Sequence, residues 1–123
     1  MSQDLIDIDA INQLIEMDED DNHDFSREIL HAFFAQLDER VPEFYTLLEN
    51  KNYTDAGKLG HFLKGSSAGV GAAKIRDICE HIQHYTLETD DPDTFFREKV
   101  DELKAAIPST KVALYSKVGL SVV

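Results

Sequence analysis

Residues 25–48 read FSREILHAFFAQLDERVPEFYTLL, and this stretch decides the fold class. Its apolar side chains recur at steps of three and four, which is the spacing of one face of an α-helix. They are Phe25, Ile29, Phe33, Phe34, Leu37, Val41, Phe44 and Leu48. The segments before and after repeat this spacing, and the alternation typical of a β-strand is missing. The sequence therefore predicts an all-α protein.

Five helical segments follow from the same spacing. They cover about 7–16, 25–50, 55–68, 72–88 and a stretch that begins after residues 91–92. Helices of this length joined by short connections pack most readily as an antiparallel bundle. We therefore expect a four-helix core with one short additional N-terminal helix, in a single domain that covers residues 1–123.

Caps and prolines set the expected helix ends. Thr54 is the expected N-cap of the third helix, and Asp91-Pro92 is a cap followed by a proline at the first helical position. Pro42 and Pro108 lie inside the second and fifth patterns, where a proline costs about 3 kcal/mol. We expect a kink at each of them, or a division into two helices.

Charge and composition exclude several classes of protein. The net charge of −12 argues against binding to nucleic acid or to anionic membranes. No stretch approaches the roughly 20 apolar residues of a membrane span, and residues 1–10 do not resemble a secretory signal. Cys79 is the only cysteine, which excludes an internal disulfide. We expect a monomer of the cytoplasm, and also of the nucleus, without a metal or another cofactor.

The charge is distributed unevenly along the chain. Residues 16–24 hold six carboxylates and no lysine or arginine, which predicts a solvated acidic loop. Residues 55–76 hold four basic residues against one acidic residue. A local excess of positive charge in an acidic chain indicates a site for an anion.

Glycines gather around one histidine in the third predicted helix. Five of the six glycines lie at positions 57, 60, 65, 69 and 71, although an interior glycine costs a helix about 0.5–1 kcal/mol relative to alanine. Positions three and four residues before and after His61 share its helical face. Those positions hold Gly57, Lys58, Lys64 and Gly65. The lysines would stabilise an anion on the imidazole, and the bare backbone would admit a second protein. Close packing between helices is the alternative explanation for the glycines.

The residues after His61 resemble a known family. HFLKGSSA at 61–68, Gly71 and CEHIQ at 79–83 are similar to the fungal, yeast-type histidine-containing phosphotransfer proteins. The resemblance covers about 10–88, and the C-terminal third matches only as a helical pattern. It implies a carrier of phosphoryl groups between the receiver domain of a hybrid sensor histidine kinase and those of response regulators. Because the sequence has no ATP-binding motif, we expect the chain to have no catalytic activity of its own.

The same resemblance assigns roles to individual residues. His61 would carry the phosphoryl group, Lys64 would balance its charge, and Gln83 would orient the imidazole from the neighbouring helix. Gly65 and Ser66 would contact the receiver. Neutral imidazole nitrogen is a competent nucleophile at physiological pH, which agrees with the first of these roles.

One position departs from the pattern of the family. Leu87 stands where the family commonly has a basic residue a turn after the glutamine. We therefore expect the charge of the phosphoryl group to depend more heavily on Lys64, with Lys58 as a possible substitute for it.

We expect the receiver domain to dock on an apolar patch. It consists of Leu14, Met17, Phe25 and Ile29, which lie on or beside the acidic loop. The docking surface of the family lies in the matching region. Ordinary core packing is the alternative for these residues, most of all for Phe25 and Ile29.

Other kinds of site fit the sequence less well. A nucleotide-binding loop would need a lysine where Ser66 stands. A calcium loop starting at Asp18 fails at its glycine and glutamate positions. Cys79 and His81 face roughly opposite sides of one helix, so zinc would find too few ligands there. A helical adaptor that binds a partner without phosphate remains the alternative function.

Overall fold

The computed structural model describes residues 4–84 and 91–120. These residues form α1 (Ile8–Glu16), α2 (Asp24–Glu49), α3 (Tyr53–Val70), α4 (Ala73–Gln83) and α5 (Pro92–Lys117). Helices α2 to α5 pack as the four-helix core, and α1 lies against α3 and α2. The predicted all-α bundle with a short N-terminal helix is confirmed. No helix in the described ranges is long and apolar enough to cross a membrane.

Each core helix contributes large side chains to one apolar interior. Phe44 of α2, Leu63 of α3, Ile82 of α4 and Phe96 of α5 are fully buried. Burial of a side chain of this size stabilises the fold by about 1.5–3 kcal/mol relative to exposure. Because one face of α3 is buried in this way, its opposite face is left to solvent.

The N-cap of α3 differs from the prediction. Asn52, not Thr54, is the cap, and its side chain accepts a hydrogen bond from the backbone N–H of Asp55. Asparagine is a stronger N-cap than threonine, so the helix begins two residues earlier than the spacing alone indicates. The predicted extension of α4 beyond His84 lies outside the described residues.

Both interior prolines are accommodated within continuous helices. Pro42 lies inside α2 and Pro108 inside α5, so of the two expected outcomes the division into separate helices is wrong, and a kink at either proline stays a prediction. Both prolines are exposed, while the helical turns around them bury apolar residues. That burial outweighs the cost of about 3 kcal/mol for an interior proline. The predicted cap of α5 is confirmed, because the Asp91 carboxylate accepts a hydrogen bond from the N–H of Thr94.

Asp18 organises the loop between α1 and α2. Its carboxylate is only 4% exposed and accepts hydrogen bonds from the Ser26 N–H, the Ser26 hydroxyl and the His23 ring. Burial disfavours the charged form, but these hydrogen bonds outweigh it and hold the pKa of Asp18 below its ordinary value. The expectation of a wholly solvated loop is therefore wrong at Asp18, which caps the start of α2 from outside the helix.

Gly71, at the end of α3, positions the start of α1. It ends α3 in the left-handed conformation, with φ of 81°. Its carbonyl oxygen accepts a hydrogen bond of 2.8 Å from the Asp7 N–H. A Cβ atom at Gly71 would lie 2.7 Å from the Asp7 carbonyl oxygen. The absence of a side chain is thus required on both conformational and steric grounds.

Gly60 allows α3 to approach α4 closely. A Cβ atom there would lie 2.7 Å from Cγ2 of Ile82 and 3.0 Å from the carbonyl oxygen of Cys79. Gly65 differs, since a Cβ atom there would meet nothing within 4 Å. The glycine cluster therefore divides: helix packing, the alternative that the sequence left open, explains Gly60 and does not explain Gly65.

Alanine substitution separates these two glycines. Gly60→Ala should lower the free energy of unfolding by about 1–3 kcal/mol, because the added methyl group overpacks the contact between the helices. Gly65→Ala should raise it by about 0.5–1 kcal/mol, because alanine is the better helix former and the space is open. Urea unfolding followed by circular dichroism measures both values. Equal effects of the two substitutions would contradict this account.

Candidate functional site

His61 occupies the middle of the solvent-facing side of α3. Its side chain is exposed, while Leu63 and Ser67 of the same helix are buried. Within the described part of the chain, the imidazole has no hydrogen-bond partner. Both ring nitrogens are therefore open to a molecule that approaches from solvent.

Lys64 links this face of α3 to α4. Its Nζ lies 3.4 Å from Oε1 of Gln83 and 3.7 Å from Oε1 of Glu80. The Lys64 ammonium donates the hydrogen bond to the Gln83 amide oxygen. The structure thus brings Lys64 and Gln83 together one turn from His61. Orientation of the imidazole by Gln83 stays a prediction, since the amide oxygen is engaged by the lysine here.

Lys58 lies on the other side of His61 along the helix. Its Nζ is highly exposed and lies 3.9 Å from a carboxylate oxygen of Asp55. The two lysines therefore point towards different partners, and Lys64 is the more constrained of the two. Leu87 lies outside the described residues.

An aromatic ring flanks the site on the side of α2. Phe62 is exposed, and the guanidinium carbon of Arg40 lies 5.8 Å from the centre of its ring. Arg40 also forms an ion pair of 2.7 Å with Glu43. A cation over an aromatic face is attracted by the ring. Sequence reasoning missed this pair, because helical spacing does not give the register of α2 against α3.

The helix surface beyond His61 carries little side-chain bulk. Gly65 and Gly69 are exposed, and added Cβ atoms at both positions would meet nothing within 4 Å. The hydroxyl of Ser66 donates a hydrogen bond to the Phe62 carbonyl oxygen of its own helix. A partner can therefore approach the α3 backbone beside the imidazole. Contact of Gly65 and Ser66 with that partner stays a prediction.

The expected apolar patch is smaller than the sequence suggests. Leu14 is only 8% exposed and belongs to the core, so its expected place on the surface is wrong. The reason is that Ile11 and Leu14, three residues apart, form the buried face of α1. Ile29 is half-buried against the core.

Two members of that patch do face solvent. Met17 is 65% exposed and Phe25 is also exposed. They line a shallow concavity whose other residues are all acidic, namely Glu19, Asp20, Asp24 and Glu28. An apolar centre with a charged rim is typical of a surface that binds a partner transiently.

The site contains no evident metal ligands. Within residues 4–84 and 91–120, no three histidine, cysteine or acidic side chains are grouped so that they could hold a metal ion. Cys79 is buried, and burial raises the pKa of its thiol to about 12. The thiol is therefore neutral at physiological pH and unsuited to nucleophilic chemistry.

Known proteins are similar to this chain, some in sequence and some in fold. The multistep phosphorelay regulator 1 of Schizosaccharomyces pombe is 46% identical over 81 residues, which cover 66% of this chain and 28% of that protein. The phosphorelay intermediate protein YPD1 of Candida albicans is 38% identical over 81 residues, which cover 66% of this chain and 44% of that protein. The chain thus covers less than half the length of these curated relatives.

A solved structure and a family model also match this chain. Ypd1 of Saccharomyces cerevisiae, co-crystallised with the receiver domain of its downstream response regulator Ssk1, is 23% identical with a TM-score of 0.81. The match covers 98% of this chain and 97% of Ypd1. Residues 28–109, which include His61 and its flanking lysines, match the model of the Hpt domain. This chain therefore belongs to the Hpt domain family.

Proposed function

We propose that this chain is a phosphohistidine intermediate of a multistep phosphorelay. In this proposal His61 accepts a phosphoryl group from the aspartate of one receiver domain and passes it to the aspartate of another. The observation that carries the proposal is the exposed imidazole, which has no hydrogen-bond partner among the described residues and lies one turn before Lys64 and the bare backbone at Gly65. Membership of the Hpt domain family supports it.

The chain itself needs to supply little more than position and charge for the transfer. The lone pair of an unprotonated ring nitrogen forms the N–P bond while the O–P bond of the aspartyl phosphate breaks, and the electron pair leaves with the carboxylate. The proton on the second ring nitrogen does not need to move in this step. Phosphoryl transfer passes through a loose transition state, so position and charge supply most of the catalysis. An exposed histidine beside one ammonium group meets both needs.

The partners in this proposal are receiver domains, one from a hybrid sensor histidine kinase and others from response regulators. The similarity to a phosphorelay regulator and a phosphorelay intermediate protein, and the co-crystal of Ypd1 with a receiver domain, support this choice. In the proposal the receiver supplies the divalent metal and the acidic cluster, and this chain acts as a carrier without activity of its own. Met17 and Phe25 would form the apolar part of the docking surface, because they are the exposed members of the predicted patch.

We also propose that the carrier acts as a monomer in the cytoplasm and the nucleus. The chain has a single cysteine, which is buried and cannot form an internal disulfide, and this fits a reducing compartment. The four acidic residues around Met17 and Phe25 support a transient partner surface rather than a permanent interface between copies.

His61→Gln tests the proposed carrier directly. A receiver domain carrying labelled phosphate should transfer the label to the parent chain as an acid-labile, alkali-stable adduct, and His61→Gln should accept none. His81→Gln is the matched control, since His81 is also exposed on a core helix. Its labelling should equal that of the parent. Label retained by His61→Gln would refute the assignment, and an unlabelled parent chain would favour the adaptor.

Gly65→Gln tests access to the histidine. The substitution fills open space with a better helix former, so the melting temperature should hold or rise. The longer side chain should obstruct the receiver, and transfer in either direction should slow by about tenfold or more, which corresponds to roughly 1.4 kcal/mol of barrier. Unchanged transfer rates would show that Gly65 does not serve to let the receiver domain approach the α3 backbone closely.

A further inference from the structure

The Lys64 ammonium is already engaged by a carboxylate before any phosphate is present. Its Nζ lies 3.7 Å from Oε1 of Glu80, which is 46% exposed. The same carboxylate oxygen lies 4.0 Å from Nε2 of His84. Glu80 is thus the acidic residue that faces the cation assigned to the phosphoryl group.

The packing of α3 against α4 sets the distance between the two helices that this ion pair joins. Gly60 allows α3 and α4 to meet at Cys79 and Ile82, the residues on either side of the turn that carries Glu80. The pair therefore bridges two helices whose spacing is set by packing, and does not depend on a flexible loop. The hydrogen bond of Lys64 to Gln83, one turn further along α4, holds the lysine on the same side.

We infer that Glu80 is a positioning residue that competes with the phosphoryl group for the Lys64 ammonium. The inference rests on the proposed function of His61. In the resting chain Lys64 is paired with Glu80. When His61 carries a phosphoryl group, the lysine must divide its charge between two anions, and part of the resting contact is lost. Glu80 therefore lowers the stability of the phosphorylated state and keeps the group transferable.

The size of the effect follows from the exposure of the pair. Exposed ion pairs contribute up to about 1 kcal/mol, so removal of Glu80 should change the phosphorylation equilibrium by about three- to fivefold. A relay intermediate needs donor and acceptor states of similar free energy, and an effect of this size is sufficient to shift that balance. A much larger effect would require a buried pair, which the exposure of Glu80 excludes.

Glu80→Gln is the test, because it keeps the shape of the side chain and removes its charge. The parent and the variant are equilibrated with one phosphorylated receiver domain, and the phosphorylated fraction and the lifetime of the isolated phosphohistidine are measured. The ratio of phosphorylated to unphosphorylated chain and the lifetime should each increase about three- to fivefold in the variant. Glu102→Gln is the matched control: Glu102 is 54% exposed and also pairs with a lysine, Lys99, but on α5. It should behave as the parent, and thermal melting should show that both variants fold.

Repeating the substitution in a Lys64→Ala background shows whether Glu80 acts through the lysine. If it does, Glu80→Gln should have no further effect there, because the Lys64 ammonium for which Glu80 competes is then absent. The same increase in both backgrounds would mean direct repulsion of the phosphate and would overturn the inference. So would an unchanged equilibrium and lifetime in Glu80→Gln beside a normally labelled parent. A parent that takes no label overturns the proposed function itself.

Discussion

The close contact of α3 with α4 at Gly60 is the constraint on which the rest of the site depends. Because no side chain separates the two helices there, Ile82 and the Cys79 carbonyl lie against the α3 backbone. That spacing brings Lys64 within reach of both Gln83 and Glu80. It also fixes the rotation of α3, so that Leu63 points into the core and His61 points to solvent. The missing Cβ atom of Gly60 thus sets the electrostatics around the histidine, while the bare backbone at Gly65 leaves access to it open.

The folded structure changes the interpretation of the basic segment at residues 55–76. Its excess positive charge is local along the chain, but three of its four basic residues form ion pairs, mostly with acidic residues outside the segment. Arg76 pairs with Asp7 and Asp77, Lys58 pairs with Asp55, and Lys64 pairs with Glu80. The site is therefore not a free cationic surface. In the proposed relay, an arriving phosphoryl group would meet a lysine that must exchange one anion for another, and this would limit how strongly the chain retains the group.

Helical periodicity predicted the fold well and the contacts between helices poorly. The apolar spacing of 25–48 was sufficient for the all-α class, and the resemblance around His61 identified the residues that gather in the site. Leu14 was misplaced because a nine-residue helix has few turns from which to judge its buried face. Thr54 was misjudged because Asn52 and Thr54, two residues apart, are both residue types that can cap a helix. The pairs Lys64–Glu80 and Arg40–Phe62 join residues on different helices. The register of one helix against another depends on how they pack. The apolar spacing within a single helix carries no information about it.

The central claim is that one imidazole of five carries the phosphoryl group. Nitrogen NMR of the histidine-labelled chain, recorded before and after charging by a phosphorylated receiver domain, observes each ring separately. The account predicts that a ring nitrogen of His61 acquires coupling to phosphorus, while the rings of the other four histidines show none. Coupling at another histidine, or at none while phosphate is bound to the chain, would contradict the account.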